Sequence, residues 1–534
     1  YERAGLVSEA VPYQVRAGDA ARQRYANETA IGYYRRALPH LPESERVQVM
    51  LNLGQVLEFV GKWDEAEALY RQALELSDCL ENAHSRARCE LTLGVLLHHK
   101  GEDGEALSWL KYAKSDFEAA EDLEGTGNVL ENVGLIHNWQ GDYPRALEAH
   151  QQHLGIAAKL NNPYEMSQAF GNLGVVYWQQ GNYERAMGFY QRQYEIAKQI
   201  GDPLGMSRAL GRKGVCYREQ GDLGRALATF QERLKLSEEI GDQLGVSYAL
   251  GDIGLVYYAQ GELARALAHL TRQLELAQQF GAQRGISQGL RNMGLLYLDH
   301  GDCARANVAF TTSLQIALQI GDRRMVGYTV GDLADVYRAD GRRREAEPLD
   351  ARAATLLREL NIPYFLCERL CSMADALFAE GHAAKAQALA AEAAKIADGI
   401  GRNDIRFRAQ VLATRLRAAT SPAAKASGIV KLQARLAETT DENEQAELDY
   451  ALWQLNKAQT NWRKAAAKLY RKMHSQMPKR LYRERYVELA DGPLPDPLPL
   501  PALSVVNGRE APILQDLLEQ VDDVIARLKP PKRK

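Results

Sequence analysis

Apolar residues recur along the chain at the three-and-four spacing of amphipathic helices, and the whole pattern returns with a period of 40. Gly61, Gly101, Gly141, Gly181, Gly221, Gly261, Gly301, Gly341 and Gly381 mark one frame, and five residues beyond each stands an alanine, from Ala66 to Ala386. A second glycine frame lies seven residues ahead of the first, from Gly54 through Gly94, Gly134, Gly174, Gly214 and Gly254 to Gly294, and continues as Ala334 and Ala374. Repetition within one chain at this length predicts a stack of two-helix units.

Each repeated position has a physical reason. The Gly61 series separates two apolar stripes, as in Gly181-Asn-Tyr-Glu-Arg-Ala186, and supplies the positive φ that ends one helix and turns into the next. The Gly54 series sits inside the first helix, where glycine costs about 1 kcal/mol relative to alanine, so its recurrence implies close helix–helix approach. The Ala66 series is expected at the facing position of the second helix, where a larger side chain would push the axes apart. Gly201-Asp202, Gly241-Asp242 and Gly321-Asp322 punctuate the joins between units.

The frame divides the chain. Residues 1–42 read as an irregular helical hairpin that caps the stack, 43–402 as nine 40-residue units, and 403–490 as degenerate helical repeats. In the last of these, Arg408–Ala418, Ala424–Ala437 and Glu444–Ala458 are helical stretches, and Asn461-Trp-Arg-Lys-Ala465 echoes Lys62-Trp-Asp-Glu-Ala66. The proline-rich run within 491–512 is an extended linker or strap, and 513–534 holds a short amphipathic helix with a basic tail.

Composition narrows the picture without redirecting it. With 46% hydrophobic and 25% charged residues the chain is a folded one. A formal charge of −3 argues against nucleic acid as a partner. Six scattered cysteines do not form a disulfide framework, and no apolar run reaches the length of a membrane span, so a cytoplasmic protein with no membrane partner is expected. The first residue is Tyr1, which reads as the start of a piece cut from a longer polypeptide.

Glycine and alanine at these offsets, with Leu173-Gly-Val-Val-Tyr177 in the first helix, resemble the tetratricopeptide repeat over about Glu43 to Gly401. The unit is longer than that family's usual one and is similar to the long-helix subclass found in adaptors. The resemblance implies an all-α, right-handed superhelical solenoid of antiparallel helix hairpins with a concave channel. The run Ala10-Val-Pro-Tyr-Gln-Val-Arg-Ala-Gly-Asp-Ala-Ala21, the stretch Tyr25 to Ala30 and the closing Tyr482-Arg-Glu-Arg-Tyr486 are similar to bacterial signalling proteins. There a cyclase-type or DNA-binding domain precedes a signal-transduction ATPase, and a repeat array forms the C-terminus. This implies a sensor arm whose partner is an ATPase or cyclase domain of the same parent protein. The alternative is a free-standing adaptor that captures an extended peptide.

Catalytic motifs are weak. No phosphate-cradling Gly-x-x-x-x-Gly-Lys-Ser/Thr occurs, and no cofactor or metal is called for. Gly285-Ile-Ser-Gln-Gly289 matches a nucleophile elbow, but Ser287 shares a repeat column with Ser167, Ser207 and Ser247, so helix-start packing is expected and not an enzyme. Cys367 with Cys371, and His98, His99, His137, His150 and His153, read as packing residues; His150 stands where Tyr70 and Tyr190 stand. A basic stretch from Lys464 to Arg485 reads as a solvated helix face.

The remaining candidate is the channel wall. Two residues before each Gly54-series position runs a polar column that includes Asn132, Asn172, Arg212, Asp252, Asn292 and Asp332. In the adaptor subclass it resembles the asparagine ladder that hydrogen-bonds an extended peptide, a task suited to amides that both donate and accept. Trp178, Arg218 and Tyr258, with Trp139 one place out of their column, are expected further along the same wall as anchors for a protein or peptide ligand.

Overall fold

The computed structural model describes residues 7–490, 492–494, 500 and 513–528. Among them are twenty-six α-helices and no strand, arranged as successive antiparallel hairpins in a right-handed solenoid. The hairpin α9 (Pro163–Gln179) and α10 (Tyr183–Gln199) shows how the sequence builds a unit. The amides of Gly181 and Asn182 turn back to the carbonyls of Trp178 and Tyr177, both at 2.9 Å, which closes α9. Gly181 takes φ of 72° to make that turn. The Asn182 side chain then accepts the Arg185 amide at 3.2 Å and opens α10. One left-handed residue and one capping side chain thus reverse the chain in three residues.

The same turn joins one hairpin to the next. Positive φ recurs at every twentieth residue from Gly61 to Gly401, although Glu81, Glu121, Asn161 and Asn361 are not glycine. Because both junctions share one geometry, each hairpin is rotated against its neighbour by the same amount, which makes a regular superhelix.

Inside each hairpin the Gly54 series faces a different residue from the one expected. A methyl on Gly54 would fall 2.1 Å from the Tyr70 ring, on Gly174 2.4 Å from Tyr190, on Gly214 2.5 Å from Phe230 and on Gly294 2.6 Å from Phe310. The glycine is therefore a notch for the large side chain 16 residues on. The Ala66 series lies beside that notch, and where the facing residue is Leu110 or Leu270 the Ala106 and Ala266 carbonyls approach it at 3.2 Å. Where the notch residue is Ala334 or Ala374 the facing residue shrinks to Asp350 or Ala390.

The flanks continue the stack. α1 (Val7–Gln23) and α2 (Asn27–Ala37) form a hairpin with the same notch, Gly18 against Tyr34. After residue 402 come α21 (Asn403–Ala418), α22 (Pro422–Glu438), α23 (Glu442–Leu455), α24 (Thr460–Gln476) and α25 (Arg480–Leu489). The third ends at Leu455, short of Ala458. The echo of Lys62–Ala66 is displaced by one: Ala466, not Ala465, is fully buried, and Tyr470 follows it at the spacing of Tyr70 from Ala66. The basic tail and most of 491–512 lie outside the described residues, but Leu500 is buried. α26 (Leu514–Leu528) packs on α16 (Cys303–Ile320) and α18 (Arg343–Glu359), burying Leu517, Leu518, Val521 and Ile525.

Successive turns of the superhelix touch. Glu102 pairs with Arg323 at 2.6 Å, Arg324 with Asp103 at 2.6 Å, and the Asn27 amide donates to the Phe280 carbonyl at 2.9 Å. Tyr143 packs among Ile362, Leu366 and Cys367. The separation of 221 residues between Asp103 and Arg324 corresponds to about five and a half units per turn. Hairpin tips of one turn meet unit junctions of the next at these points along a seam, and also at Gly61 and Gly261.

Candidate functional site

The polar column lies on the first helices of successive units, and its members join one unit to the next. The Asn172 amide donates to Glu131 at 2.9 Å, and Arg212 donates to the Asn172 oxygen at 3.3 Å. Arg291 holds Asp332 with bonds of 2.5 and 3.3 Å. Each link spans one repeat, because ladder positions 40 residues apart stand side by side. Asn132 instead donates to the Asn128 carbonyl at 2.8 Å, and Asn292 accepts from Gln288 at 3.0 Å, both within their own helices. Further on, Arg369 bridges Asp335 at 2.7 Å and Asp350 at 3.2 Å, and Arg338 contacts the same two carboxylates.

Electrostatics differ from step to step. Asp252 is held by Arg233 at 2.8 Å. Arg212 has as acceptors the side-chain oxygens of Gln193, at 3.0 Å, and Asn172, and among the described residues it forms no ion pair. Burial, with Arg208 and Arg233 nearby, holds its guanidinium pKa below the ordinary arginine value.

The second column does not join the first. Six residues separate Asn172 from Trp178, a rotation of about 120° away from the ladder once whole turns are removed. Trp139 lies under the Arg324 guanidinium at 5.5 Å, and the Tyr258 ring under Lys479 at 5.5 Å, both across the seam. Tyr258 also donates its hydroxyl to Asp299. Arg218 pairs with Glu219 at 2.9 Å, and Trp178 packs against the core of Ala186, Tyr190 and Cys216.

Residues that sequence reasoning passed over complete the wall. Gln193 and Arg233 belong to second helices, yet they reach ladder positions of the following unit. They pass through gaps left by Gly171 and Gly211, where a methyl would come within 2.7 and 2.8 Å of them. A glycine just ahead of the ladder residue, with a long polar side chain 22 residues on, is the sequence signal that finds them.

The remaining motifs are absorbed by packing. Ser287 is fully buried inside α15 (Gln283–His300) and meets the Ser313 hydroxyl at 2.9 Å. Cys367 and Cys371 are buried, which pushes both thiols up to about 12. No group of three histidine, cysteine or acidic side chains is placed to hold a metal among the described residues. The basic stretch is not free: Lys472 pairs with Glu442 at 2.6 Å, Arg485 stacks on Tyr450 at 4.0 Å, and Lys479 reaches Asp299 at 3.3 Å. No helix among the described residues is long and apolar enough to cross a membrane.

The tetratricopeptide-repeat family model matches residues 45–122, 125–199, 165–239 and 245–319. The chain belongs to the tetratricopeptide-repeat family. Among curated proteins it is similar to tetratricopeptide repeat protein 29 of Trypanosoma brucei brucei, 26% identical over 117 residues. That match covers 22% of this chain and 24% of the relative, so it spans about a quarter of the curated protein. Among solved structures, a Rap protein complexed with Competence and Sporulation Factor matches at TM-score 0.47 and 14% identity, over 68% of this chain and 99% of that one. A signal-transduction ATPase with numerous domains and a tetratricopeptide repeat sensor, from Pyrococcus horikoshii, matches at TM-score 0.38 and 14% identity, over 65% and 52%. The family's repeats fit a protein-binding scaffold.

Proposed function

We propose that this repeat array is a non-catalytic scaffold that binds a protein or peptide along its inner wall, and that it serves as the sensor arm of a larger signalling protein. The observation that carries the binding role is the polar column aligned unit by unit from Asn132 to Asp332 on the first helices. Amides and charges set at a constant interval along a stacked wall suit a ligand with its own linear repeat of donors and acceptors, which is an extended backbone. The sensor role is favoured by the similarity of the flanking segments to ATPase-linked arrays; an ATPase or cyclase domain encoded upstream of Tyr1 in the parent reading frame supports it, and a frame without one favours the free-standing adaptor.

A photo-reactive residue placed at Asn292, on the inner wall, is expected to cross-link a polypeptide captured by the array. One placed at Arg272, exposed on a second helix, is expected not to. Cross-links confined to position 272 move the binding surface to the outer face and overturn the inner-wall reading.

A further inference from the structure

Two consecutive ladder residues, Arg212 and Asp252, are held from behind by a long polar side chain, and their neighbours Asn172 and Asn292 have one at the same spacing in the sequence. Asn172, Arg212, Asp252 and Asn292 stand 19 residues after His153, Gln193, Arg233 and Gln273, which lie on the second helices of the preceding units. The same column holds Ala73 and Ala113 earlier in the chain, and Ser313, Ala353 and Ala393 later, so the solenoid itself does not require these groups. Exposure is 1%, 0%, 9% and 6% in that order. Each carries one buried atom without a hydrogen-bond partner: His153 Nδ1, Gln193 Nε2, Arg233 Nε and Gln273 Oε1. Gly171, Gly211 and Gly251 make room for the last three. An unpartnered buried polar atom costs of the order of 1–3 kcal/mol. Long polar side chains in this column, confined to four adjoining units, set the stretch apart from the units before and after it.

The charges along this stretch are unequal. Asp252 is neutralised by Arg233, Asn172 and Asn292 are neutral, and Arg212 meets amide oxygens. Among the described residues its cation forms no ion pair, and the nearby carboxylate of Glu131 is bonded to the Asn172 amide instead. We infer that the wall from α8 (Tyr143–Lys159) to α15 is the recognition strip for an extended polypeptide, and that Arg212 selects an acidic side chain on it. The inference rests on the inner-wall reading above. A guanidinium that exchanges amide acceptors for a carboxylate gains a charge-assisted, two-pronged bond. A neutral or basic ligand residue at that place leaves the charge uncompensated in a half-buried wall.

Phage-displayed random dodecapeptides selected on the full chain test this. The expected outcome is enrichment of Asp or Glu at one fixed position, with a roughly tenfold affinity loss when that residue becomes its amide. Arg212→Gln is expected to lose the acidic preference while keeping the rest of the selected pattern. Because Arg212→Gln alters a packed site, Gln193→Glu provides a second test: it keeps Arg212 and supplies the missing carboxylate from behind, so it too is expected to erase the preference. Selected peptides without an acidic position, or an acidic preference that survives both variants, overturn the role of Arg212 and leave the inner-wall reading intact. Failure to enrich any peptide overturns both.

Discussion

His150 fills the notch of Gly134 in place of the tyrosine of other units, fully buried and with neither ring nitrogen bonded. Burial, followed by the neighbouring His153 and Arg212, pushes its pKa down to about 3 from an ordinary 6.5. Between those values the unfolded chain holds a proton that the native state refuses. Its stability contribution is therefore full above pH 6.5 and is lost as pH falls towards 3. His150→Phe removes this loss, and its stabilising effect is expected to be larger at pH 5 than at pH 7 by about 2 kcal/mol, read from denaturant unfolding at both pH values. A gain independent of pH would contradict the buried neutral imidazole. His98, buried and pushed down to about 4 against the pull of Asp103, adds acid sensitivity of the same sign that the variant leaves in place. The tyrosine column made His150 legible as a packing residue. That its nitrogens find no partner depends on which side chains the fold brings near, which the period alone does not contain.

At the scale of the helix pair, the notch accounts for the repeated glycines. Gly174→Ala drives a methyl into the Tyr190 ring, and overpacking of this kind is expected to cost about 1–3 kcal/mol. In a Tyr190→Ala background the same substitution is expected to be close to neutral, since the ring it collides with is gone and the pair becomes the Ala374–Ala390 combination that the chain already uses. Thermal unfolding of the four proteins checks the coupling, and additive losses would place the constraint elsewhere. Hairpins, turns and the first-helix glycines were legible because local spacing encodes them. The facing residue was not, because a period of 40 aligns every column equally well and does not say which two columns touch. The docking of α26 was only half legible: its amphipathic pattern was plain, but not its seat. α16 carries Val308, Thr312 and Gln315 where α12 (Leu223–Glu239) carries Ala228, Glu232 and Lys235, an outer face depleted of charge. Arg352 on α18 holds Asp522 through two bonds of 2.7 Å. Arg352→Asp and Asp522→Arg are each expected to speed amide exchange in Leu517–Ile525, and the double exchange to slow it again; unchanged exchange in the single variants would mean that the apolar face alone holds the helix.

At the scale of the whole molecule, closure of the superhelix is the property least visible in the sequence, because contacts separated by 221 residues leave no mark on a 40-residue period. Contact between turns holds the coil together where the turns meet. Arg324 is the centre of the clasp. It is 3% exposed, donates to the His98 carbonyl at 2.7 Å and to Asp103 at 2.6 Å, and covers Trp139. Removing one partner of such a buried pair strands the other, at about 3–5 kcal/mol. The wall can avoid that cost by parting at the seam and letting water reach Asp103. Arg324→Ala is therefore expected to lengthen the particle in small-angle scattering and to speed amide exchange at Leu97–Asp103 and Asp322–Val326, while α12, which carries no residue of the clasp, keeps its protection. If the particle keeps its length and exchange rises evenly along the chain, the curvature of the stack alone sets the coil, and the Arg324 clasp contributes stability only.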